Sequence, residues 1–279
     1  FNNTIVNNIG VVGSGTLTNG GGWIGQGTYV TYTYGFIGNI TNCYSNGVIG
    51  NLCGGIVGAN AGYGGICNIN NCYSTGNIGD YAGGIAGNFA GSGGICNITN
   101  CFSTGDISGT GAGGIVTPIV FESGACNITN CFSTGAISGY NAGGICGSSA
   151  GLVFGNLDIA FICNIINCYS TGVIGRTGGN YCGGIVGALS NSNCKISNCY
   201  VTGSLNTDSI GSNYFKPNIN VTNNPYSNAV IDLDTTKHST VPNVWDNNAK
   251  ISLDNTSGCW KSFLDDSGDV MNIGWKLVP

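Results

Sequence analysis

One stretch, Cys67-Asn68-Ile69-Asn70-Asn71-Cys72-Tyr73-Ser74-Thr75-Gly76-Asn77-Ile78, recurs six times along the chain with few changes, and this repetition constrains the fold more than any other feature. Its anchoring cysteines are Cys43, Cys72, Cys101, Cys131, Cys168 and Cys199, separated by steps of 29, 29, 30, 37 and 31 residues. Each follows an Asn, has Ile three residues before it and Gly four after it. A second signature alternates with the first, as in Gly54-Gly55-Ile56-Val57-Gly58, Gly83-Gly84-Ile85-Ala86-Gly87 and Gly183-Gly184-Ile185-Val186-Gly187. A fixed period of this size means a solenoid, a propeller or an array.

The residues inside one period decide among these. No window carries apolar residues at helical spacing over a helix-length run, and Gly recurs every few positions, which excludes helical repeats. Each period instead holds three runs of strand length: Gly-Gly-Ile-Val-Gly, Gly-Ile-Cys-Asn-Ile and Cys-Tyr-Ser-Thr-Gly-x-Ile. Three short strands with Gly and Asn corners, returning every 29 or so residues, describe one coil of a parallel β-helix. A propeller blade needs about 40–50 residues, so the step is too short. The expectation is an all-β parallel β-helix of about six to seven three-stranded coils.

The pattern Gly-Gly-Ile-Val-Gly, then Gly-x-Ile-x-Asn-Cys-Tyr-Ser-Thr-Gly-x-Ile-x-Gly, resembles the GLUG-type repeat of large bacterial surface adhesins and similar repeat proteins of large DNA viruses. The resemblance covers about residues 20–203. It implies a scaffold with no catalytic residues and no cofactor. The chain departs from that repeat by carrying Cys where Ser is common and by a second Cys five residues earlier in five of the six copies.

Three segments follow. Residues 1–37 are expected to form an irregular first coil, residues 38–203 the regular coils, and residues 204–279 a C-terminal cap or small packing domain. The step of 37 between Cys131 and Cys168 implies an insertion near residues 152–158. Charged residues make up only 7% of the chain and Gly contributes 51 residues, a composition that suits a β-helix with an exterior of Asn, Thr, Ser and Tyr. Seven scattered basic residues exclude a nucleic-acid groove. No run is long and apolar enough for a membrane span. No signal peptide is visible before Phe1, so the chain is expected to begin after processing or inside a longer one.

Face assignment yields the candidate sites. Period two sets Cys67 and Ile69 on one side and Asn68 on the other; Asn70-Asn71 is then a corner, where Asn tolerates the left-handed conformation. With Cys72, Ser74, Gly76 and Ile78 inward, an aromatic column of Tyr44, Tyr73, Phe102, Phe132, Tyr169 and Tyr200 is expected to face solvent beside a row of Thr. Aromatic faces beside hydroxyls suit glycan stacking or a partner surface. Same-face packing that only stabilises the sheet is the competing reading, and it is the default for aromatics in ladders. An ice-binding face would need regular Thr-x-Thr spacing, which the chain lacks.

Five C-x4-C pairs recur: Cys67/Cys72, Cys96/Cys101, Cys126/Cys131, Cys163/Cys168 and Cys194/Cys199. Core ladders of small apolar thiols, disulfides across the corner or between coils and a zinc array are all open at this level. The single His, His238, makes metal binding the weakest of the three. Cys53, Cys146, Cys182 and Cys259 follow no fixed pattern. N-glycosylation motifs occur at Asn2, Asn39, Asn97, Asn127, Asn220 and Asn255, three of them inside the repeated Asn-Ile-Thr.

Some β-helices degrade polysaccharides, with paired carboxylates on one face. Here Asp80, Asp106, Glu122 and Asp158 do not recur in register, and the Asp265-Asp266-Ser267-Gly268-Asp269 turn lacks the features of known calcium loops. The sequence therefore points to a non-enzymatic structural or adhesive surface protein, extracellular or on a cell or virion surface, with a carbohydrate-binding or polysaccharide-degrading β-helix as the alternative. Its expected partners are copies of itself, other surface proteins or glycans.

Overall fold

In the computed structural model, residues 4–25, 36–119, 122–151, 161–175, 182–187, 193–197, 199–201 and 230–232 are described. The chain is an all-β parallel β-solenoid of about five turns, with no helix among the described residues.

The long wall is an eight-stranded parallel sheet whose order follows the chain: Thr4–Asn7, Phe36–Thr41, Gly65–Asn70, Ile95–Thr99, Gly124–Thr129, Phe161–Ile166, Cys194–Ser197 and Val230–Asp232. Its register sets like on like, with Cys67 opposite Cys96, Asn68 opposite Asn97 and Ile69 opposite Ile98. Alternation sends Cys and Ile inward and Asn outward. The last strand, Val230–Asp232, lies in the C-terminal segment that follows the repeats and extends this sheet by pairing with Cys194–Ser197.

The first six long strands are each followed by an Asn in the left-handed region, with φ of 58° at Asn8, 54° at Asn42 and Asn71, 53° at Asn100 and Asn130, and 55° at Asn167. There a short polar side chain makes a positive φ tolerable, and the chain turns into the second wall. That wall is a seven-stranded parallel sheet of two-residue strands, among them Tyr44–Ser45, Tyr73–Ser74, Phe102–Ser103, Phe132–Ser133 and Tyr169–Ser170. The third wall is the Gly-Gly-Ile run, held coil to coil by parallel bridges at Gly54, Gly83, Gly113, Gly143 and Gly183.

The core is a set of columns running along the stack. Ile69, Ile98, Ile128 and Ile165 come from the first wall, Ile78, Ile107, Ile137 and Ile174 from just past the second, and Ile85, Ile115, Ile145 and Ile185 from the third. Two cysteine columns fill the space between the isoleucines. Burying each Ile contributes roughly 2–3 kcal/mol, and the same contribution returns in every coil. The Gly pair of the third wall is required by close approach: a β-carbon at Gly84 would overlap the carbonyl oxygen of Gly114 and crowd the Ser103 hydroxyl. Opposite it, the buried Ser74 hydroxyl donates to the Gly84 carbonyl at 2.5 Å, and Ser45 does the same to Gly55 at 2.6 Å.

Candidate functional site

The aromatic column forms, but not as a solvent-facing platform. Tyr44, Tyr73, Phe102, Phe132 and Tyr169 stack with ring centroids 4.7–5.2 Å apart and planes within 8° of parallel. The rings of Tyr73, Phe102, Phe132 and Tyr169 retain at most 7% exposure. The expected outward phase holds for Thr75 and Asn77, which keep solvent contact; the expected exposure of the rings does not. The reason is the coil rise. In-register strands repeat at about 4.8 Å, within the range of offset aromatic stacking, so each ring covers its neighbour's face. Tyr44 ends the column lying on Gly10, where a β-carbon would collide with its ring. Burial raises the Tyr73 and Tyr169 phenols above their ordinary range. A ring with both faces covered cannot stack on a sugar. The side chain of Tyr200 lies outside the described residues.

Eleven of the fourteen described cysteines form two columns. Cys67, Cys96, Cys126, Cys163 and Cys194 line the inner face of the long wall in register. Cys43, Cys72, Cys101, Cys131, Cys168 and Cys199 follow the corner, so the two members of each C-x4-C pair belong to different columns. All fourteen described cysteines are buried thiols outside any disulfide, and Cys259 lies outside the described residues. The corner thiols bind the backbone of the turn. Sγ of Cys72 donates to the Asn70 carbonyl at 3.2 Å and accepts the Cys43 N–H at 3.4 Å. Cys101 repeats both contacts, with Thr99 and Cys72. A small side chain that both donates and accepts thus satisfies backbone groups that the turn leaves over. Burial pushes the Cys53, Cys131, Cys146 and Cys168 thiols up. No group of three or more His, Cys, Asp or Glu is arranged to hold a metal ion among the described residues.

The glycosylation motifs Asn39, Asn97 and Asn127 lie within long strands, half-buried, in an outward Asn ladder. Their side chains bond along the stack: Asn68 Nδ2 to Asn39 Oδ1 at 2.9 Å, Asn97 to Asn68 at 2.8 Å, Asn127 to Asn97 at 2.9 Å and Asn164 to Asn127 at 2.8 Å. Asn97 and Asn127 therefore use the amide nitrogen to which a glycan would attach, and the acceptor role read from the sequence meets a competing structural one. Asn2, Asn220 and Asn255 lie outside the described residues.

The carboxylates also serve the stack. Asp80 Oδ1 accepts the Thr110 N–H at 2.7 Å, and Asp106 Oδ1 accepts the Ala136 N–H at 3.0 Å, each bridging to the next coil. Glu122 takes a hydrogen bond from the Tyr63 hydroxyl at 2.9 Å. Asp158 and the Asp265–Asp269 turn lie outside the described residues.

The surface that breaks the pattern is the first coil. Its strand Thr4–Asn7 is the outermost of the long sheet, and no strand pairs with its far side among the described residues. Ile5 stands opposite Asn39, where the outward ladder would have Asn, and is 72% exposed; Val12 is 75% exposed and Ile9 43%. Sequence reasoning groups these residues with a capping coil and misses them as a surface. The signal that could have found them is Ile5 in the ladder's Asn position. No helix among the described residues is long and apolar enough to cross a membrane. No protein-family model, curated protein or solved structure matches this chain.

Proposed function

We propose that this chain is a structural building block: a rigid β-solenoid that forms or decorates a fibre, a cell surface or a virion surface and associates with copies of itself. The observation that carries the reading is the stack itself, in which like residues of successive coils pair in register along an eight-stranded parallel sheet. Coils that each pack only on their neighbours make an extended, rigid scaffold. The resemblance to GLUG-type repeats of bacterial adhesins and large-virus proteins supports an extracellular or surface setting. Adhesion through the aromatic column has weaker support, because the stacked rings cover one another's faces. A polysaccharide-degrading role has weaker support too, since Asp80 and Asp106 are engaged with backbone N–H groups.

Sedimentation velocity of the full reduced chain over a wide concentration range tests the proposal. The wild type is expected to form larger species as concentration rises, with an unchanged circular dichroism spectrum. A wild type that stays monomeric throughout overturns it.

A further inference from the structure

The third wall places one residue after its recurring Ile in every coil: Val57, Ala86, Val116, Cys146 and Val186 form one column of bridged residues. Cys146 alone among these brings a thiol to that wall. Its sulfur lies 3.9 Å from Sγ of Cys163, which belongs to the cysteine column of the opposite, long wall. Both side chains are fully buried. The two residues are 17 apart in sequence, and the chain between them holds the insertion that lengthens this step of the repeat.

We propose that Cys146 and Cys163 are the site of a cross-core disulfide that staples the coil before the insertion to the coil after it. Direction separates this pair from its neighbours. Cys126, Cys163 and Cys194 stand side by side in register, so their side chains run parallel at the strand spacing of about 4.8 Å. A disulfide needs Cβ atoms roughly 3.5–4.5 Å apart and a dihedral near a right angle, which parallel neighbours do not offer. Cys146 approaches Cys163 from the facing wall, with the two sulfurs 3.9 Å apart.

Both thiols are buried in the finished stack, so the bond forms during folding, before the strand Phe161–Ile166 packs over Cys146. The chemistry requires a small-molecule disulfide as oxidant. One protein thiolate attacks a sulfur of that oxidant and expels a small thiol, leaving a mixed disulfide. The second protein thiolate then attacks the protein sulfur and expels the second small thiol. The Cys146–Cys163 bond forms, both protein thiols are oxidised, and the oxidant is reduced to two thiols that take up the two protons.

The test is to refold the full chain in a glutathione redox buffer, quench in acid, alkylate and map the linkages after chymotryptic digestion. Cleavage after Phe154 and Phe161 separates the two cysteines into different peptides. One crosslinked pair containing Cys146 and Cys163 is expected, with a mass lower by the two thiol hydrogens. Cys146→Val and Cys146→Ala put in that position the residues that other coils carry there, so both are expected to fold, to lack the crosslink and to leave Cys163 alkylated. Recovery of both cysteines alkylated from the oxidised wild type overturns the proposal, as does a bridge from Cys163 to Cys126 or Cys194. The inference is independent of the assembly reading above, because sedimentation tests that one and linkage mapping tests this one.

Discussion

Raising the pH should unfold this protein abruptly when its cysteines are kept reduced. The thiols of Cys67, Cys72, Cys96 and Cys194 are raised first by hydrogen bonds between successive thiols and then by burial, and those of Cys131, Cys146 and Cys168 chiefly by burial. A group whose folded pKa lies above its unfolded value contributes stability that is complete below the unfolded pKa and is lost as pH rises. An unfolded cysteine ionises near ~8.5, so one pH unit above that each thiol held neutral costs about 1.4 kcal/mol. Seven such thiols are opposed by Cys101, lowered despite its burial by hydrogen bonds from Cys131 and Cys72, and by Cys163, lowered by hydrogen bonds from Cys146 and Cys194; the net cost of five is about 7 kcal/mol, within the whole stability of a typical domain, about 5–15 kcal/mol. The phenols of Tyr73 and Tyr169, raised by burial, add to the loss above pH ~10. The assay is circular dichroism and thiolate absorbance followed together against pH, with a phosphine reductant present. Both signals should change in one cooperative step between about pH 9 and 10. Thiolate absorbance that rises near pH ~8.5 while the β-sheet signal stays unchanged would refute the reasoning, because it would mean that the ladder thiols ionise inside the fold.

Six substitutions at five positions probe the stack itself. Gly84→Ala should abolish soluble folded protein, since its β-carbon would overlap the Gly114 carbonyl, whereas Gly175→Ala, with nothing nearer than 3.5 Å, should leave yield and spectrum intact. Phe102→Ala should lower stability in urea by about 3–5 kcal/mol, because the ring is buried and stacked on both sides; Phe102→Tyr should cost far less, as Tyr73 and Tyr169 occupy the same column. Ser74→Ala should cost about 1–3 kcal/mol by leaving the buried Gly84 carbonyl without its donor. Ser133→Ala should be neutral or stabilising in the same measurement, because the Ser133 hydroxyl is buried with no hydrogen-bond partner.

Much of the fold was legible because the repeat states it in every period. Asn71 marked the corner, Ile69 and Ile78 marked the inward phase, and the fixed step between cysteines gave the parallel stacking. The exposure of the aromatics was not legible, because alternation gives only the side of a strand from which a residue projects. Whether Tyr73 meets water depends on the next coil, whose Phe102 lies at stacking distance. The role of the corner cysteines was hidden for a related reason: the spacing of Cys72 leaves core packing, a disulfide and metal binding all open, while its Sγ serves the backbone of its own and the preceding coil. Cys146 looks irregular by spacing because its partner stands on the opposite wall, which no local pattern records. Leu52 and Tyr81 take φ of 64° and 50° at a corner where Gly111 and Asn141 adopt the same conformation; neither side chain advertises that geometry. The pairing of Val230–Asp232 with the long sheet lay in a segment with no repeat to guide its reading.

The central claim is that identical residues of successive coils lie side by side, in register. Solid-state NMR of the protein labelled with 13C at Cβ of cysteine alone measures this directly, because two columns hold Cys67, Cys96, Cys126, Cys163 and Cys194, and Cys43, Cys72, Cys101, Cys131, Cys168 and Cys199. Dipolar recoupling should report that most labels have a nearest labelled neighbour at about 4.8 Å, the spacing of in-register strands. A decay corresponding to well-separated labels would contradict the stacked, in-register solenoid and everything built on it.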